Sequence, residues 1–171
     1  IHFFESEGMY IYLAAPTCRA AKRMTEATGY EARTIHRMLE LGYVPEGDDN
    51  RMHYGRNEEN PLEADVIIID EMSMVDVQLL HSLLQAIPPR KRLILVGDPD
   101  QLPPVGPGFP FSDMLRSGQM PTVRLTEMFR QAQESLIVMN AHRVNRGEMP
   151  ERKTVTSDFF FMRRQSEDAV L

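Results

Sequence analysis

Three short apolar runs, each followed by residues with helical periodicity, constrain the fold of this chain more than any other feature. The runs are YIYLAA at 10–15, DVIIID at 65–70 and RLILVG at 92–97. Strands buried on both faces have such continuous apolar sequences, and parallel strands need helical crossovers between them. The alternation therefore predicts an α/β domain built on a parallel sheet, with TVRL at 122–125 as a fourth strand.

Local capping signals predict where the helices begin and end. Thr17 can cap a helix that ends near Thr28, with Gly29 as its stop. A second, shorter helix is predicted to follow Thr34 and to end near Gly42. Further helices are predicted at about 77–86 and 134–145, and IHFFESEG at 1–8 resembles the last turn of a helix closed by a glycine.

A polar, turn-rich stretch interrupts the alternation between residues 43 and 61. GDDN at 47–50 can form the turn of a hairpin whose second strand is RMHYG. Near the other end, DFFFM at 158–162 is predicted to be a strand that opens another domain. The first helix has no capping residue, which indicates a segment taken from a longer chain.

The charge distribution leaves nucleic-acid binding open. The net charge of −6 argues against a phosphate-rich partner, because such partners select basic surfaces. The charge is uneven, however, since five basic residues cluster between 19 and 37 and only Glu26 and Glu31 oppose them there. The acidic excess lies mainly between 46 and 63, so local charge outweighs net charge in this prediction.

The cysteine, histidine and hydropathy patterns exclude several classes of protein. Cys18 is the only cysteine, so an internal disulfide is impossible and a thiolate metal cluster is not expected. The five histidines are scattered, and none has the spacing of metal ligands. No run reaches the ~18 apolar residues of a membrane span, and no leader sequence opens the chain. We expect a soluble, cytoplasmic domain without a membrane partner.

Polar residues follow the predicted strands, and ligands gather at such positions in open α/β sheets. Asp70 and Glu71 come directly after the buried DVIIID strand. Magnesium prefers oxygen ligands and keeps several waters, so Asp70 can hold Mg²⁺ through water. Glu71 can then orient or deprotonate the water that attacks a γ-phosphate. The alternative is that the two carboxylates form only a polar strand end.

Two further clusters offer groups that suit a phosphate. The segment LVGDPDQLPPVGPG at 95–108 has four prolines and three glycines, which force a non-helical path. Gln101 in this loop can hydrogen-bond a phosphate or a water. Arg130 follows the predicted fourth strand, in LTEMFRQ, and its guanidinium can stabilise charge in phosphoryl transfer. An ordinary turn and a surface ion pair are the respective alternatives.

The segment APTCRAAKR at 15–23 offers a third kind of site. Pro16 and Thr17 end the first predicted strand, and Arg19 follows at a helix N-terminus, a combination that binds the phosphates of a DNA backbone. Thr34 and His36 in RTIHR are further candidates for the same surface. The alternatives are a solvated amphipathic helix and a structural histidine.

In this order, the clusters resemble the motor motifs of superfamily 1 helicases, specifically the RecD family. APTCRAAKRM resembles motif Ia, RTIHRML the short motif after it, and VIIIDEMSMVD motif II, the Walker B motif. LVGDPDQLPPVGPG resembles motif III and LTEMFRQ motif IV. The similarity runs from about residue 10 to 150, and it includes NAHRVNRGEMP at 140–150. The stand-alone RecD2 type is most similar, and conjugative TraA-like relaxase-helicases come second.

The resemblance implies a fold and an activity. Residues 1–150 are expected to form part of a RecA-like P-loop NTPase motor domain 1A, in which 43–61 is an inserted hairpin like the pin of domain 1B. Residues 151–171 are expected to start the following region or the second motor domain. The implied activity is that of an ATP-driven, Mg²⁺-dependent motor that moves along single-stranded DNA and unwinds duplex DNA 5′ to 3′ in recombination or repair.

Matching positions carry the family's roles onto this chain. Asp70 is expected to serve Mg²⁺ and Glu71 hydrolysis, while Gln101 couples nucleotide state to DNA and Arg130 contacts the γ-phosphate. The residues expected near the DNA strand are Pro16, Thr17, Arg19, Thr34 and His36.

Three departures from the family pattern qualify these expectations. The GxGKT phosphate loop, its strand and the upstream adenine-recognising glutamine are absent, so tight ATP binding by these residues alone is not expected. Cys18 stands where the family usually has Gly, and 109–110 is Phe-Pro where Asn-Val is expected, so the start of the next helix is expected to differ. Another P-loop ATPase such as an RNA helicase and a non-catalytic nucleic-acid-binding module are the alternatives, and membership of a larger recombination complex stays open.

Overall fold

The computed structural model describes residues 1–43, 52–125, 135–152 and 158–160, which belong to two units, Ile1–Pro121 and Thr122–Leu171. The helices of the first unit are α1 (His2–Ser6), α2 (Cys18–Thr28), α3 (Ile35–Met38), α4 (Val77–Gln85) and α5 (Pro110–Ser117), with a 3₁₀ turn at Met72–Met74. Its strands are β1 (Ile11–Ala15), β2 (Ala32–Thr34), β3 (Leu41–Tyr43), β4 (Met52–Tyr54), β5 (Val66–Ile69) and β6 (Arg92–Leu95). The second unit contains α6 (Leu136–Asn145).

The main sheet has the order β2-β1-β5-β6, and every neighbouring pair in it is parallel. Leu13 of β1 stands beside Ala32 on one side and Ile68 on the other, and Ile68 in turn stands beside Ile94. Each crossover between these strands includes a helix or the β3–β4 hairpin. The predicted parallel α/β architecture is therefore confirmed.

The hydrophobic core packs the central strands against α3, α4 and α5. Ile67 and Ile69 of β5 are fully buried, and as alternate residues of a strand they share one face. They share a core cluster with Leu83 of α4 and Phe111 of α5. Burying each of these side chains stabilises the fold by about 1.5–3 kcal/mol, and the cluster holds the carboxyl ends of β1 and β5 in fixed register.

The capping prediction for α2 is confirmed, and α4 begins with a cap of the same kind. The Thr17 hydroxyl accepts a hydrogen bond from the Ala20 amide at 3.2 Å, and Gly29 ends α2 in the left-handed region with φ of 77°. Asp76 caps α4 by accepting from the Leu79 amide at 2.8 Å. These short-range contacts satisfy amide groups that a helix leaves without partners at its first turn.

Three sequence-based predictions need correction. The helix after Thr34 ends at Met38 rather than near Gly42, because the chain turns at once into strand β3. Residues 122–125 form no strand, and Val123 and Leu125 are 90% and 92% exposed, so their apolar pattern does not correspond to burial. Residues 158–160 are not in a strand either, while 161 and 162 lie outside the described residues.

Residues 41–54 include the predicted hairpin, in which β3 and β4 pair antiparallel and the tip, 44–51, lies outside the described residues. Its root is held firmly. Arg56 Nε donates to Glu40 Oε1 at 2.9 Å, and the Gly55 amide donates to the Glu40 carbonyl oxygen at 3.1 Å. The Arg56 amide donates to the Leu39 carbonyl oxygen at 3.0 Å. Both strands of the hairpin are thus tied to the end of α3.

In the second unit, α6 is fixed by side chains at its start and middle. Ser135 caps the helix, and its hydroxyl donates to the Asp158 carboxylate at 2.6 Å. Asn140 is buried, donates to the Glu151 carbonyl oxygen at 3.0 Å and accepts from the Glu151 amide at 2.6 Å. The segment after α6 is thereby held against the helix by one side-chain amide. Across the described residues of both units, no helix combines the length and apolar character that crossing a bilayer requires.

Candidate functional site

The four parallel strands bring the predicted site residues to one edge of the sheet. Parallel strands end at the same edge, so the residues after β2, β1, β5 and β6 lie side by side in that order. Thr34 ends β2 and Thr17 follows β1, whereas Asp70 follows β5 and Gln101 lies in the loop after β6. The residues predicted to contact DNA therefore occupy the β2–β1 half of the edge, whereas Asp70, Glu71 and Gln101, predicted to contact nucleotide, occupy the β5–β6 half.

Asp70 and Glu71 are held by backbone contacts at the end of β5. The Asp70 amide donates to the Ala14 carbonyl oxygen of β1 at 2.9 Å. One oxygen of the Asp70 carboxylate accepts the Glu71 amide at 2.9 Å, which leaves its second oxygen for a ligand. Glu71 adopts the left-handed conformation, with φ of 55°, which costs a side-chain-bearing residue about 1–2 kcal/mol. Such strain persists only where surrounding contacts fix the backbone.

The 3₁₀ turn after Glu71 is tied directly to the end of β6. The Met72 amide donates to the Val96 carbonyl oxygen at 2.9 Å, and the Met74 amide donates back to the Glu71 carbonyl oxygen at 3.1 Å. Gly97 allows this approach, because an added Cβ there would lie 3.0 Å from the Phe111 ring and 3.1 Å from the Met72 amide nitrogen. A side chain at position 97 would therefore push the ends of β5 and β6 apart.

Gln101 is positioned by its own loop and by the turn. Its amide donates to the Asp98 carbonyl oxygen at 3.2 Å, and the Asp98 carboxylate accepts the Asp100 amide at 3.0 Å. Its side-chain oxygen accepts the Ser73 hydroxyl at 3.3 Å. The far end of the loop is also anchored, because the Val77 amide of α4 donates to the Pro107 carbonyl oxygen at 3.0 Å. The loop is therefore held at both ends by hydrogen bonds at the sheet edge.

A cavity of about 320 Å³ opens beside the two carboxylates. Its wall includes Arg23 and Met24 of α2, the pair Asp70 and Glu71, and Val96 after β6. Arg23 is exposed and forms no ion pair with the residues that the structure describes, so its guanidinium is available to an anion in this cavity. A second cavity, of about 460 Å³, lies at the opposite edge, where Met9, Asp65 and Lys91 precede the strands.

The predicted DNA-contact residues differ in their exposure and in how far their polar groups are already used within the protein. Thr17 and Thr34 each use the hydroxyl oxygen to cap a helix, which leaves the hydroxyl hydrogen free to donate. Arg19 is exposed and forms no ion pair within the described part of the chain, whereas Pro16 is half-buried. The His36 ring is half-buried, with its centroid 6.4 Å from that of Tyr54, so it also contacts the hairpin.

One predicted position lies outside the described residues, and two other residues near the site carry no individual prediction. Arg130 falls in 126–134, so its predicted role stays a prediction. Ser73 and Arg23 were not singled out. The signal for Ser73 was a small polar residue between two methionines directly after Asp70-Glu71, and the signal for Arg23 was its helical spacing on the α2 face that bears Ala20 and Ala27.

The departures from the RecD pattern are accommodated locally. Cys18 is exposed as the first residue of α2. Phe109 occupies the N-cap position of α5 and Pro110 the first helical position, where the missing amide and fixed φ of proline suit a helix.

Comparison with known proteins agrees with the resemblance that the sequence motifs carry. Residues 2–159 match the model of the AAA domain family. The chain is 43% identical over 146 residues to the ATP-dependent RecD2 DNA helicase of Deinococcus radiodurans, a match that covers 85% of this chain and 19% of that protein. It is 40% identical over 121 residues to the RecBCD enzyme subunit RecD of Mycolicibacterium smegmatis, covering 61% of this chain and 21% of that protein. The resemblance to the RecD family that the motifs carry is thereby confirmed.

A solved structure shares the fold. The crystal structure of Bacteroides Pif1 bound to single-stranded DNA superposes with a TM-score of 0.54 at 22% identity, over 86% of this chain and 39% of that chain. Together with the AAA domain match, this likeness confirms the predicted RecA-like P-loop NTPase fold class. The chain spans about a fifth of the length of these two relatives, RecD2 and RecD.

Proposed function

This chain belongs to the AAA domain family, and from that premise we propose that it forms part of the first motor domain of an ATP-dependent DNA helicase. The relatives are named as an ATP-dependent DNA helicase and as a RecBCD subunit, and their matches cover 85% and 61% of this chain. The proposed protein moves 5′ to 3′ along single-stranded DNA, unwinds duplex DNA and acts in the cytoplasm in recombination or repair.

The division of the sheet edge into two halves is the observation that carries this proposal. The β5–β6 half offers the Asp70 and Glu71 carboxylates and the Gln101 amide, whereas the β2–β1 half offers two threonine hydroxyls and Arg19. A motor needs both kinds of surface on one rigid element, because ATP hydrolysis must change the grip on DNA. Strands β1 and β5 are direct neighbours, so the two halves are mechanically joined.

On the nucleotide side, each residue has a proposed task. Within the described residues, no cluster of three or more acidic, histidine or cysteine side chains could cage a metal ion. Asp70 uses one carboxylate oxygen to accept the Glu71 amide, and its second oxygen suits Mg²⁺ held mainly through water and phosphate oxygens, where the ion would neutralise phosphate charge. Glu71 accepts the proton of the attacking water, Gln101 senses the γ-phosphate, and Arg130 stabilises the negative charge that develops on it.

On the DNA side, the proposed contacts are to phosphates. Thr17 and Thr34 donate their hydroxyl hydrogens, and Arg19 supplies charge beside the N-terminus of α2. Pro16 and His36 complete the surface. Residues 43–61 are proposed to act as a strand-separating pin within a motor domain that spans 1–150, followed by the next region at 151–171.

The decisive test is ATP hydrolysis by the full-length protein with and without single-stranded DNA. We expect DNA to stimulate hydrolysis and Glu71→Gln to reduce it by about 100-fold or more while ATP binding persists, because a catalytic base contributes that much. Glu63→Gln, an exposed carboxylate before β5, is the matched control and is expected to leave hydrolysis unchanged. Equal activity in Glu71→Gln and the parent protein would remove Glu71 from this role.

The same assay separates the alternatives. Stimulation by RNA oligonucleotides in preference to DNA would favour an RNA helicase. Nucleic-acid binding without hydrolysis in a folded full-length protein would favour a non-catalytic module. The supporting observation is that Arg19 and Arg23 of α2 are exposed and form no ion pair with any residue that the structure describes. Activity only after addition of partner subunits would place the protein in a larger recombination complex.

A further inference from the structure

We propose that Ser73 is a positioning residue, whose buried hydroxyl fixes the side chain of Gln101 and decides which end of its amide faces outward. This inference rests on the proposed function, in which Gln101 meets the nucleotide. It concerns a residue that lies between the Asp70-Glu71 pair and the loop after β6, and that touches the loop rather than the substrate.

Ser73 is fully buried. Ser73 lies in the middle of the 3₁₀ turn Met72–Met74 and has no exposed surface. A buried hydroxyl needs a hydrogen-bond partner, since leaving it without one is costly. Its hydroxyl donates to the side-chain oxygen of Gln101 at 3.3 Å. This contact crosses from the turn after β5 to the loop after β6.

Gln101, in contrast, has a side chain that needs a restraint. Gln101 is exposed, and a long exposed side chain samples several rotamers unless a contact holds it. The loop around it is braced by Asp98 at one end and by Pro107 at the other. Only its side chain needs a separate restraint, and the Ser73 hydroxyl supplies one.

The chemistry of the amide gives the consequence. A glutamine side chain has one oxygen that accepts hydrogen bonds and one NH₂ group that donates two. Because Ser73 donates to the oxygen of Gln101, the NH₂ group is left for other partners. A phosphate oxygen accepts from such a group, whereas the amide oxygen would repel it. Ser73 thus prepares Gln101 to recognise an anion.

The backbone links the same contact to Glu71. Ser73 is two residues beyond Glu71, and the Met74 amide donates to the Glu71 carbonyl oxygen at 3.1 Å. A shift of the Gln101 side chain therefore pulls on the turn that fixes the strained Glu71 backbone. Through Ser73, the binding of a phosphate oxygen by Gln101 and the position of Glu71 therefore depend on each other.

A double-mutant cycle on the full-length protein tests the proposal. Ser73→Ala, Gln101→Ala and the double variant are compared by DNA-stimulated ATP hydrolysis, with kcat and KM determined separately. We expect Ser73→Ala to lower kcat about tenfold, and the double variant to be no slower than Gln101→Ala, because Ser73 acts through Gln101. Ser112→Ala, at a buried serine of α5, is the control and is expected to hydrolyse ATP normally. Losses that multiply in the double variant would overturn the proposal.

Gln101→Glu separates two effects of Ser73, which are to restrain the side chain at position 101 and to direct its NH₂ group outward. A carboxylate at position 101 still accepts the Ser73 hydroxyl but carries no NH₂ group, so hydrolysis is expected to fall as far as in Gln101→Ala. Activity close to that of the parent protein would show that the amide orientation does not matter and would overturn the proposal.

A second readout does not depend on activity. In ¹⁵N NMR spectra, the side-chain NH₂ signals of Gln101 are assigned by their loss in Gln101→Ala. We expect these signals to shift and narrow in Ser73→Ala but not in Ser112→Ala, and unchanged signals would overturn the proposal. If the full-length parent protein fails to hydrolyse ATP while this shift is seen, the proposed function fails and the Ser73–Gln101 restraint stands.

Discussion

Gly106 lies directly against the carboxylate of Asp76, so closely that any side chain at position 106 would overlap it. Asp76 at the same time caps α4 through the Leu79 amide at 2.8 Å. The neighbouring Pro107 carbonyl oxygen accepts the Val77 amide at 3.0 Å. One end of the loop that carries Gln101 therefore packs against the first turn of α4, and this packing requires glycine at position 106.

Gly106→Ala is expected to destabilise the protein by disrupting the packing of the loop against α4. The added methyl group must displace the Asp76 side chain, and losing an N-cap costs about 1 kcal/mol. We expect the midpoint of thermal unfolding to fall by at least about 2–4 °C, measured by circular dichroism. Gly42→Ala is the control, since Gly42 is exposed and its nearest neighbour would be 4.0 Å from the new Cβ. An equal fall in both variants would mean that Gly106 has no special role.

Glu71→Gly is expected to raise stability while removing activity. The left-handed backbone of Glu71 costs about 1–2 kcal/mol, which glycine avoids, although glycine loses about 0.5–1 kcal/mol through its freer unfolded state. The net effect is a rise in the unfolding midpoint of about 1–3 °C. Arg90→Gly is the matched control, because Arg90 has φ of 71° at an exposed loop position. It is expected to gain similar stability and to keep ATP hydrolysis; a stability loss in Glu71→Gly alone would mean that its side chain holds the turn.

The bounds of α2 and the central strands could be predicted from the sequence because their causes are local. Thr17 and Gly29 bound α2 through contacts within one turn of the helix, and these contacts do not depend on the rest of the fold. The VIII run of β5 is apolar on both faces and could be stable only between neighbours. The identity of Asp70, Glu71 and Gln101 as site candidates followed from strand ends in the same way.

The elements that were missed depend on contacts between distant residues. Strand β2 has only three residues with Arg33 at its centre, and it becomes a strand by pairing with Leu13–Ala15 of β1. Ser73 has no distinctive pattern of its own, and its role appears only when Gln101, 28 positions away, is placed beside it. The wrong strand at 122–125 shows the converse, because apolar alternation without a pairing partner does not make a strand.

The root of the hairpin provides a prediction about unwinding. Arg56 binds Glu40 at 2.9 Å and the Pro61 carbonyl oxygen at 3.3 Å, and its side chain is 23% exposed. If residues 43–61 separate strands, Arg56→Ala loosens their support without touching the sheet edge. We expect unwinding of a forked duplex to fall at least about threefold while DNA-stimulated ATP hydrolysis stays within about twofold, since a partly exposed ion pair contributes up to about 1 kcal/mol.

Arg37→Ala is the control for the hairpin root, since it removes an exposed arginine from α3 and leaves the Glu40 contact intact. Deleting the hairpin tip is expected to give the same separation of unwinding from hydrolysis in a stronger form. An equal loss of both activities in the Arg56 and tip variants would mean that the hairpin supports the fold rather than the DNA strands.

Asp65 makes the start of β5 sensitive to acid. The Lys91 ammonium group, 2.8 Å away, and the Tyr10 amide, 3.0 Å away, hold the pKa of the Asp65 carboxyl below its usual value. A lowered pKa in the folded state means that Asp65 stabilises the fold above its unfolded pKa of about 3.9, and that this contribution is lost as the pH falls through the lower, folded value. Asp65→Asn is therefore expected to unfold at a lower temperature than the parent protein at pH 7, with the difference closing below about pH 4. Thermal unfolding followed from pH 7 to pH 2, with the exposed Glu58→Gln as control, measures this directly. A difference that stays constant over that range would assign the effect to side-chain shape rather than to charge.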